Sequence, residues 1–364
     1  MIVDSHLHIF PRMGGAAGHH SREEHMKFIQ REISLHHLPV RRESDATIAD
    51  IEQSLLDGQG YTINNLTNVS FRGGQFGRFM WTHEGQNYYK QYLPSHMTDL
   101  SAPVEQLVAQ MNHAGIDRAV LHTGHTYGRL NRLISDAIRR FPDRLWGMAL
   151  VDEWRINQKT QLEALDYALE TLRLSGLWFD TRNIYFKGGQ YGINHPANAP
   201  FFEHVRARGI PIFWNCPSPE PTKGSYLKTI EELGIWLSHY PEIPCVLTNG
   251  FPFDYFTDAI GVNFPKEFWE TMDAPNLLVE LCFPIIVGGR LEYPYHALWP
   301  IVQQFYQKLG AKKLVWGSDM PNVERFCTYR QCLDYLRVYC DFIPKDDMAL
   351  ICGGNLIALF DNTP

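Results

Sequence analysis

Long apolar runs are missing from this 364-residue chain, and so is any surplus of positive charge. No stretch approaches the roughly 18 consecutive apolar residues of a membrane-spanning helix, so no membrane partner is expected. The formal net charge is −7. That argues against nucleic acid as a partner, since its binders carry a basic stripe. Cysteine is scarce: seven residues, an odd number, with no CxxC pair. This pattern makes neither a disulfide framework nor a zinc–thiolate centre, and a reducing cytoplasm is the expected setting. The opening Met1-Ile2-Val3-Asp4-Ser5-His6 has neither the basic nor the apolar region of a secretory signal, and none is expected. Low-complexity tracts are absent as well.

What the chain does have is 45% hydrophobic residues, enough for a sizeable core. Eight short runs read as strands: Ile2–His8, Arg118–His122, Leu145–Val151, Gly176–Phe179, Pro211–Asn215, Pro244–Thr248, Leu277–Cys282 and Lys313–Gly317. The last seven recur about every 30 to 35 residues, the length of one βα unit. Helical patterns lie between them, among them Val104–Ala114, Leu162–Leu174, Leu227–His239 and Tyr295–Leu309. Alternating units predict an α/β fold with a parallel sheet, and eight of them fit a closed (β/α)8 TIM-like barrel; an open doubly wound sheet is the alternative.

The first unit is abnormal. About 110 residues separate its strand from the next, far beyond an ordinary connection. Residues 19–35 have a charged helical pattern, and residues 60–93 are rich in glycine and aromatics. Within the latter, Trp81 to Tyr88 reads as a hairpin with Gly85 available for a positive φ. The insertion, residues 10–100 of a single barrel spanning 1–364, follows the C-terminal end of a strand, the catalytic face of such barrels. It is therefore expected to cap the active site, a surface decoration being the alternative.

His6 and His8 stand at i and i+2 at the end of the first strand, so their side chains share one face. The eighth strand ends in Gly317-Ser318-Asp319, followed by Pro321. In a closed barrel strands eight and one are neighbours, which brings Asp319 to the same rim. Two imidazoles and a carboxylate suit Zn²⁺ or a similar divalent ion, manganese included, with open positions left over. The plain alternatives are locally bonded histidines and an aspartate that caps the next helix.

Val3-Asp4-Ser5-His6-Leu7-His8, Trp316-Gly317-Ser318-Asp319-Met320-Pro321 and Cys352-Gly353-Gly354-Asn355 resemble signatures of the amidohydrolase-related proteins. The nearest branch is similar to the one containing aminocarboxymuconate-semialdehyde decarboxylase and related aromatic-acid decarboxylases. The resemblance implies a barrel enzyme with a metal-binding histidine ending strand five and another histidine ending strand six. Here Asn215 and Asn249 stand at those ends. An amide oxygen is a poor zinc ligand but a good hydrogen-bond partner for substrate. Three arrangements stay open: metal held by His6, His8 and Asp319 alone, metal completed by another residue such as Glu280, or no metal, as in the family's pyrone-dicarboxylate lactonases.

Glu280 lies in an apolar strand, where a carboxylate must be paired or metal-bound. It is a candidate ligand or general base, with an ion pair to Arg290 as the alternative. His122 and His125 follow strand two and can shuttle protons or bind a substrate oxygen. Arg12, Arg182, Lys187 and Arg325 follow strands one, four and eight and are candidates to hold a substrate carboxylate. A nucleophilic Cys216 lacks any identifiable base.

The function expected is metal-dependent hydrolysis of a small, carboxylated or aromatic carbonyl substrate, with Asp319 and Glu280 as catalytic groups. Non-oxidative decarboxylation, a metal-free lactonase-like hydrolase and a barrel that binds without catalysis are the alternatives. A homo-oligomer, a dimer, is the expected assembly.

Overall fold

The computed structural model describes residues 1–185, 191–258 and 261–363. The eight apolar runs become eight parallel strands: β1 (Val3–His8), β2 (Arg118–His122), β3 (Leu145–Ala149), β4 (Gly176–Asp180), β5 (Ile212–Asn215), β6 (Cys245–Leu247), β7 (Leu277–Leu281) and β8 (Leu314–Trp316). They are hydrogen-bonded in that order in one sheet. The ring closes just past β8, where Asp319 N donates to His6 O at 3.0 Å and His8 N to Met320 O at 2.7 Å. The fold is the expected (β/α)8 barrel, and the open sheet is ruled out.

Two devices hold that closure. The Asp4 carboxylate on β1 accepts from His6 N at 2.9 Å, Ser318 N at 3.0 Å and Tyr329 Oη at 2.8 Å, and from Ser318 Oγ. Asn355, from the Cys-Gly-Gly-Asn sequence, donates to Ala311 O at 2.7 Å and Leu314 O at 2.8 Å at the start of β8. The helix that follows, Asn355–Asp361, seats Leu356 and Phe360 against Val3, Val120, Phe213 and Val315 in the barrel interior. A larger apolar cluster joins the outer strand faces to the surrounding helices.

Two helical readings are corrected in detail. Leu162–Leu174 is a helix over Lys159–Asp166 that widens into a π turn over Tyr167–Thr171. The helix expected from Tyr295 starts at Trp299, because Tyr295 takes a left-handed φ of 62° and a 3₁₀ turn intervenes.

The insertion leaves and re-enters through one antiparallel bridge, with Phe10 N to Ala102 O at 3.1 Å and Ala102 N to Phe10 O at 2.9 Å. It holds helix α1 (Arg22–Leu35), whose N-terminus is capped by the Ser21 side chain bonded to Glu24 N at 3.1 Å. Past its other end, Lys90 Nζ donates to Ile33 O at 3.0 Å and His36 O at 2.6 Å. A four-stranded antiparallel sheet follows, in the order Arg41–Arg42, Gln86–Gln91, Arg78–His83, Arg72–Gly73. The expected hairpin is its centre, turning at Glu84 and Gly85 with φ of 49° and 75°. Phe10, Ile29, Ile33, Phe79, Trp81 and Leu93 pack into a cluster separate from the barrel's own.

Candidate active site

β1 is buried along its whole length. Its register against β2 slips between Asp4 and Leu7, a bulge that re-aims the side chains beyond it. His6 and His8 turn to one locus, their Nε2 atoms 3.0 Å apart. Asp319 Oδ1 lies 3.1 Å from His8 Nε2 and 3.9 Å from His6 Nε2. Asp319 is in the left-handed region, φ 58°, a conformation Asp tolerates better than most side chains. Its Oδ1 also accepts from Asn322 Nδ2 at 2.7 Å.

The far side of each imidazole faces an acceptor. His6 Nδ1 is 3.2 Å from Glu280 Oε2, and His8 Nδ1 is 3.2 Å from the His122 carbonyl. In the neutral rings these partners place the proton on Nδ1 and leave two Nε2 lone pairs converging beside a carboxylate oxygen. Three acceptors with no donor between them repel unless a cation or a proton joins them. The three separations define a triangle whose corners lie about 2.0 Å from a common point, close to zinc–nitrogen and zinc–oxygen bond lengths. The donor set therefore fits a divalent ion. A carboxylate behind a metal-facing histidine is the usual orienting partner.

In the absence of an ion the same locus draws a proton. Burial opposes a charge on His6, but the Glu280 carboxylate, with Asp319 and Asp4, overrides it and raises the imidazole to about 8. Burial, together with the charge on His6, holds His8 below its usual range. Burial alone would push Asp319 up; the His8 hydrogen bond, the charge of His6 and Asn322 hold it below the ordinary carboxylate range.

Glu280 is a correction. It does not line the cavity and has no free face for a general base. Its oxygens take Ser5 Oγ, His6 Nδ1 and Asn249 N, the last at 2.7 Å. Arg290 pairs instead with Asp254 at 2.5 Å. His6, Glu280 and Cys282 form a second buried donor group, in which burial and then Glu280 push the thiol well up and disfavour the thiolate. Gly317 abuts the same carboxylate: a Cβ there would collide with Glu280 and Ser5 Oγ. Gly317→Ala is expected to cost about 1–3 kcal/mol of stability, read by denaturant unfolding; an unchanged midpoint would show the collision to be relieved at no cost.

His122 is a second correction. Its Nε2 is 2.6 Å from the Ser5 carbonyl in the β1 bulge, and its ring packs on Trp178 at 4.6 Å, outside the cavity lining. Arg12 is exposed and does not line the cavity. Lys187 lies outside the described residues. Cys216 is buried, and burial raises its thiol.

A cavity of about 450 Å³ opens over the locus. Barrel residues His8, Tyr127, Trp178, Asn215, Asn249, Asp319 and Arg325 form one side, and Phe28, Arg31, Glu32, His36 and Tyr92 of the insertion the other. The insertion thus forms one wall of the cavity. His125 also lines the cavity, its Nε2 2.9 Å from Glu153 Oε2. Tyr127, Asn322 and Glu32 were not singled out from the sequence; only the position of Tyr127 after β2 and of Asn322 three residues past Asp319 signalled them.

A family model described as amidohydrolase matches residues 3–361. The chain belongs to that amidohydrolase family. No curated protein sequence matches it significantly. Among solved structures, the amidohydrolase chain is similar to a probable 2-pyrone-4,6-dicarboxylic acid hydrolase from Acinetobacter baumannii with citric acid bound. They share 20% identity and a TM-score of 0.57 over 72% of this chain and 90% of that one. It is also similar to 5-carboxyvanillate decarboxylase from Sphingomonas paucimobilis, at 18% identity and TM-score 0.51 over 72% and 84%. A third is dihydroxybenzoic acid decarboxylase from a Polaromonas species with bound manganese and the inhibitor 2-nitroresorcinol. It gives 14% identity and TM-score 0.53 over 72% and 87%. This amidohydrolase fold is thus shared by hydrolases and decarboxylases alike. No helix of the described residues is long and apolar enough to cross a membrane.

Proposed function

We propose that the protein is a divalent-metal-dependent hydrolase of small carboxylated substrates, with His6, His8 and Asp319 as the ligands. The observation carrying this is the convergence of two Nε2 lone pairs and one carboxylate oxygen, each ring backed by an acceptor on its far side. Two imidazoles and one carboxylate favour zinc, with manganese the alternative. When bound there, the ion supplies positive charge that polarises a substrate oxygen and eases deprotonation of water.

The chain's own groups do the rest. Asp319 Oδ1 faces the two Nε2 atoms and accepts from Asn322 Nδ2. Oδ2 is left to take a proton from the attacking water and return it to the leaving group. Glu280 keeps His6 oriented. The insertion walls one side of the cavity and narrows its access to water, which strengthens charge interactions inside.

Arg325 is the anchor for a substrate carboxylate. Arg182 faces Glu32 at 2.5 Å, and Arg290 faces Asp254. Arg325 has no carboxylate within 4 Å among the described residues; it contacts Tyr92 O at 2.5 Å, His36 Nε2 at 3.2 Å and Asn322 O at 3.1 Å. A part-buried guanidinium with neutral partners favours an incoming anion. Arg325→Met is expected to raise KM about 10–100-fold with a smaller change in kcat. An unchanged KM would place the anchor elsewhere.

Decarboxylation is the second reading, favoured by the decarboxylases that share the fold. The test is a panel of carboxylated lactones, amides and hydroxybenzoates offered to zinc- or manganese-loaded protein in ¹⁸O-water. Incorporation of ¹⁸O into an acid product supports hydrolysis. Release of CO₂ without water uptake overturns it in favour of the second reading.

A further inference from the structure

Asn215 ends β5 and Asn249 follows β6, on neighbouring strands, and their amides are bonded to each other. The polarity of that pair is fixed from outside. Asp180 Oδ1 accepts Arg182 N–H at 2.9 Å, and its Oδ2 faces the Arg182 guanidinium at 3.7 Å. It is thereby held as an acceptor, so the Asn215 group 3.0 Å from Oδ2 is the Nδ2 donor. Asn215 must then present Oδ1 to its neighbour, and Asn249 Nδ2 donates to it at 2.7 Å. The Asn249 nitrogen is tethered, while its Oδ1 has no partner among the described residues, and Asn249 lines the cavity. The Asn249 backbone N–H is tied to Glu280, the residue behind His6, so Asn249 is anchored beside the strand that backs the His6 locus.

We infer that Asn249 Oδ1 reads a hydrogen-bond donor on the substrate, so that the cavity selects carboxylates that also bear a hydroxyl or N–H. The inference rests on Arg325 as carboxylate anchor, which fixes one end of the same molecule. A ligand offering a methyl ether in place of the hydroxyl leaves Oδ1 desolvated and unpaired, which is costlier than a merely missing contact. Asn249 is a specificity-determining residue on this account, and the Asn215–Asp180–Arg182 chain, which ends at Glu32 on α1, keeps its amide from turning over.

The test measures binding. Zinc-loaded protein is titrated by calorimetry with 2-, 3- and 4-hydroxybenzoate and with the matching methoxybenzoates. For the best-bound isomer the hydroxyl compound is expected to bind on the order of tenfold tighter than its ether. Asn249→Gly should erase that ratio: glycine suits the φ of 71° and keeps the N–H to Glu280. Equal binding of both compounds to the wild type, or a preference that survives in Asn249→Gly, would each overturn the inference. If both bind equally and Arg325→Met abolishes both, the carboxylate anchor stands and only the role of Asn249 falls. If no probe binds the wild type, both fall together.

Discussion

Asp319→Asn is expected to lower kcat by about 10²–10⁴-fold while the circular dichroism spectrum stays that of the wild type. The amide keeps an oxygen for Asn322 Nδ2 and for the ligand locus, and a left-handed φ of 58° suits Asn as well as Asp. What it loses is the ability to take a proton at the second oxygen. The backbone bond from residue 319 N to His6 O, which closes the barrel, is untouched. Activity within about tenfold of wild type would remove Asp319 as the proton carrier and turn attention to the His125–Glu153 pair.

The second large effect is expected from His6→Ala combined with His8→Ala. Both nitrogens go and a single carboxylate remains, so protein purified without added metal should lose its zinc or manganese by elemental analysis and its turnover together. Wild-type affinity should also follow pH in a definite direction. A proton and a cation compete for His6 Nε2, and His6 is raised to about 8. Above about pH 8 the nitrogen is free and affinity is greatest; below it the proton wins increasingly, weakening metal binding about tenfold per pH unit for that ligand. A double variant that keeps its metal, or full activity without it, would sink the metal mechanism, and a metal-free hydrolase would replace it.

The barrel was legible in the sequence because each strand is a short apolar run and the units repeat at one length. The convergence of His6, His8 and Asp319 followed from two geometric facts, the common face of i and i+2 and the adjacency of the first and last strands in a closed ring. Glu280 was legible only as a carboxylate needing a partner. Which partner depends on β7 reaching across to β1 at the depth of His6 and Ser5, and nothing local to residues 277–282 encodes that depth. His122 was misassigned for the same reason: a bulge in β1 turns the Ser5 carbonyl toward it, and register slips leave no mark in composition. Arg12 failed because Phe10 and Met13 on either side of it are tied to Ala102 and Leu100, pairings between residues far apart in sequence, and Arg12 is left exposed. The π turn at Tyr167–Thr171 differs from an α-helix by one residue per turn, below what a hydrophobic period resolves.

The bridge at Phe10 and Ala102 also governs how the molecule can change over generations. Because departure and return are bonded side by side, the strands on either side experience the excursion as a hairpin, whatever its length. Residues can be gained or lost between those two positions without shifting β1 against β2 or moving His6 and His8 relative to Asp319. Lengthening such a loop costs little chain entropy, since closure depends only on the logarithm of its length. Ligand geometry and cavity wall are thus free to diverge at different rates: one is written in strand ends that must not slip, the other in a replaceable graft with an apolar centre of its own.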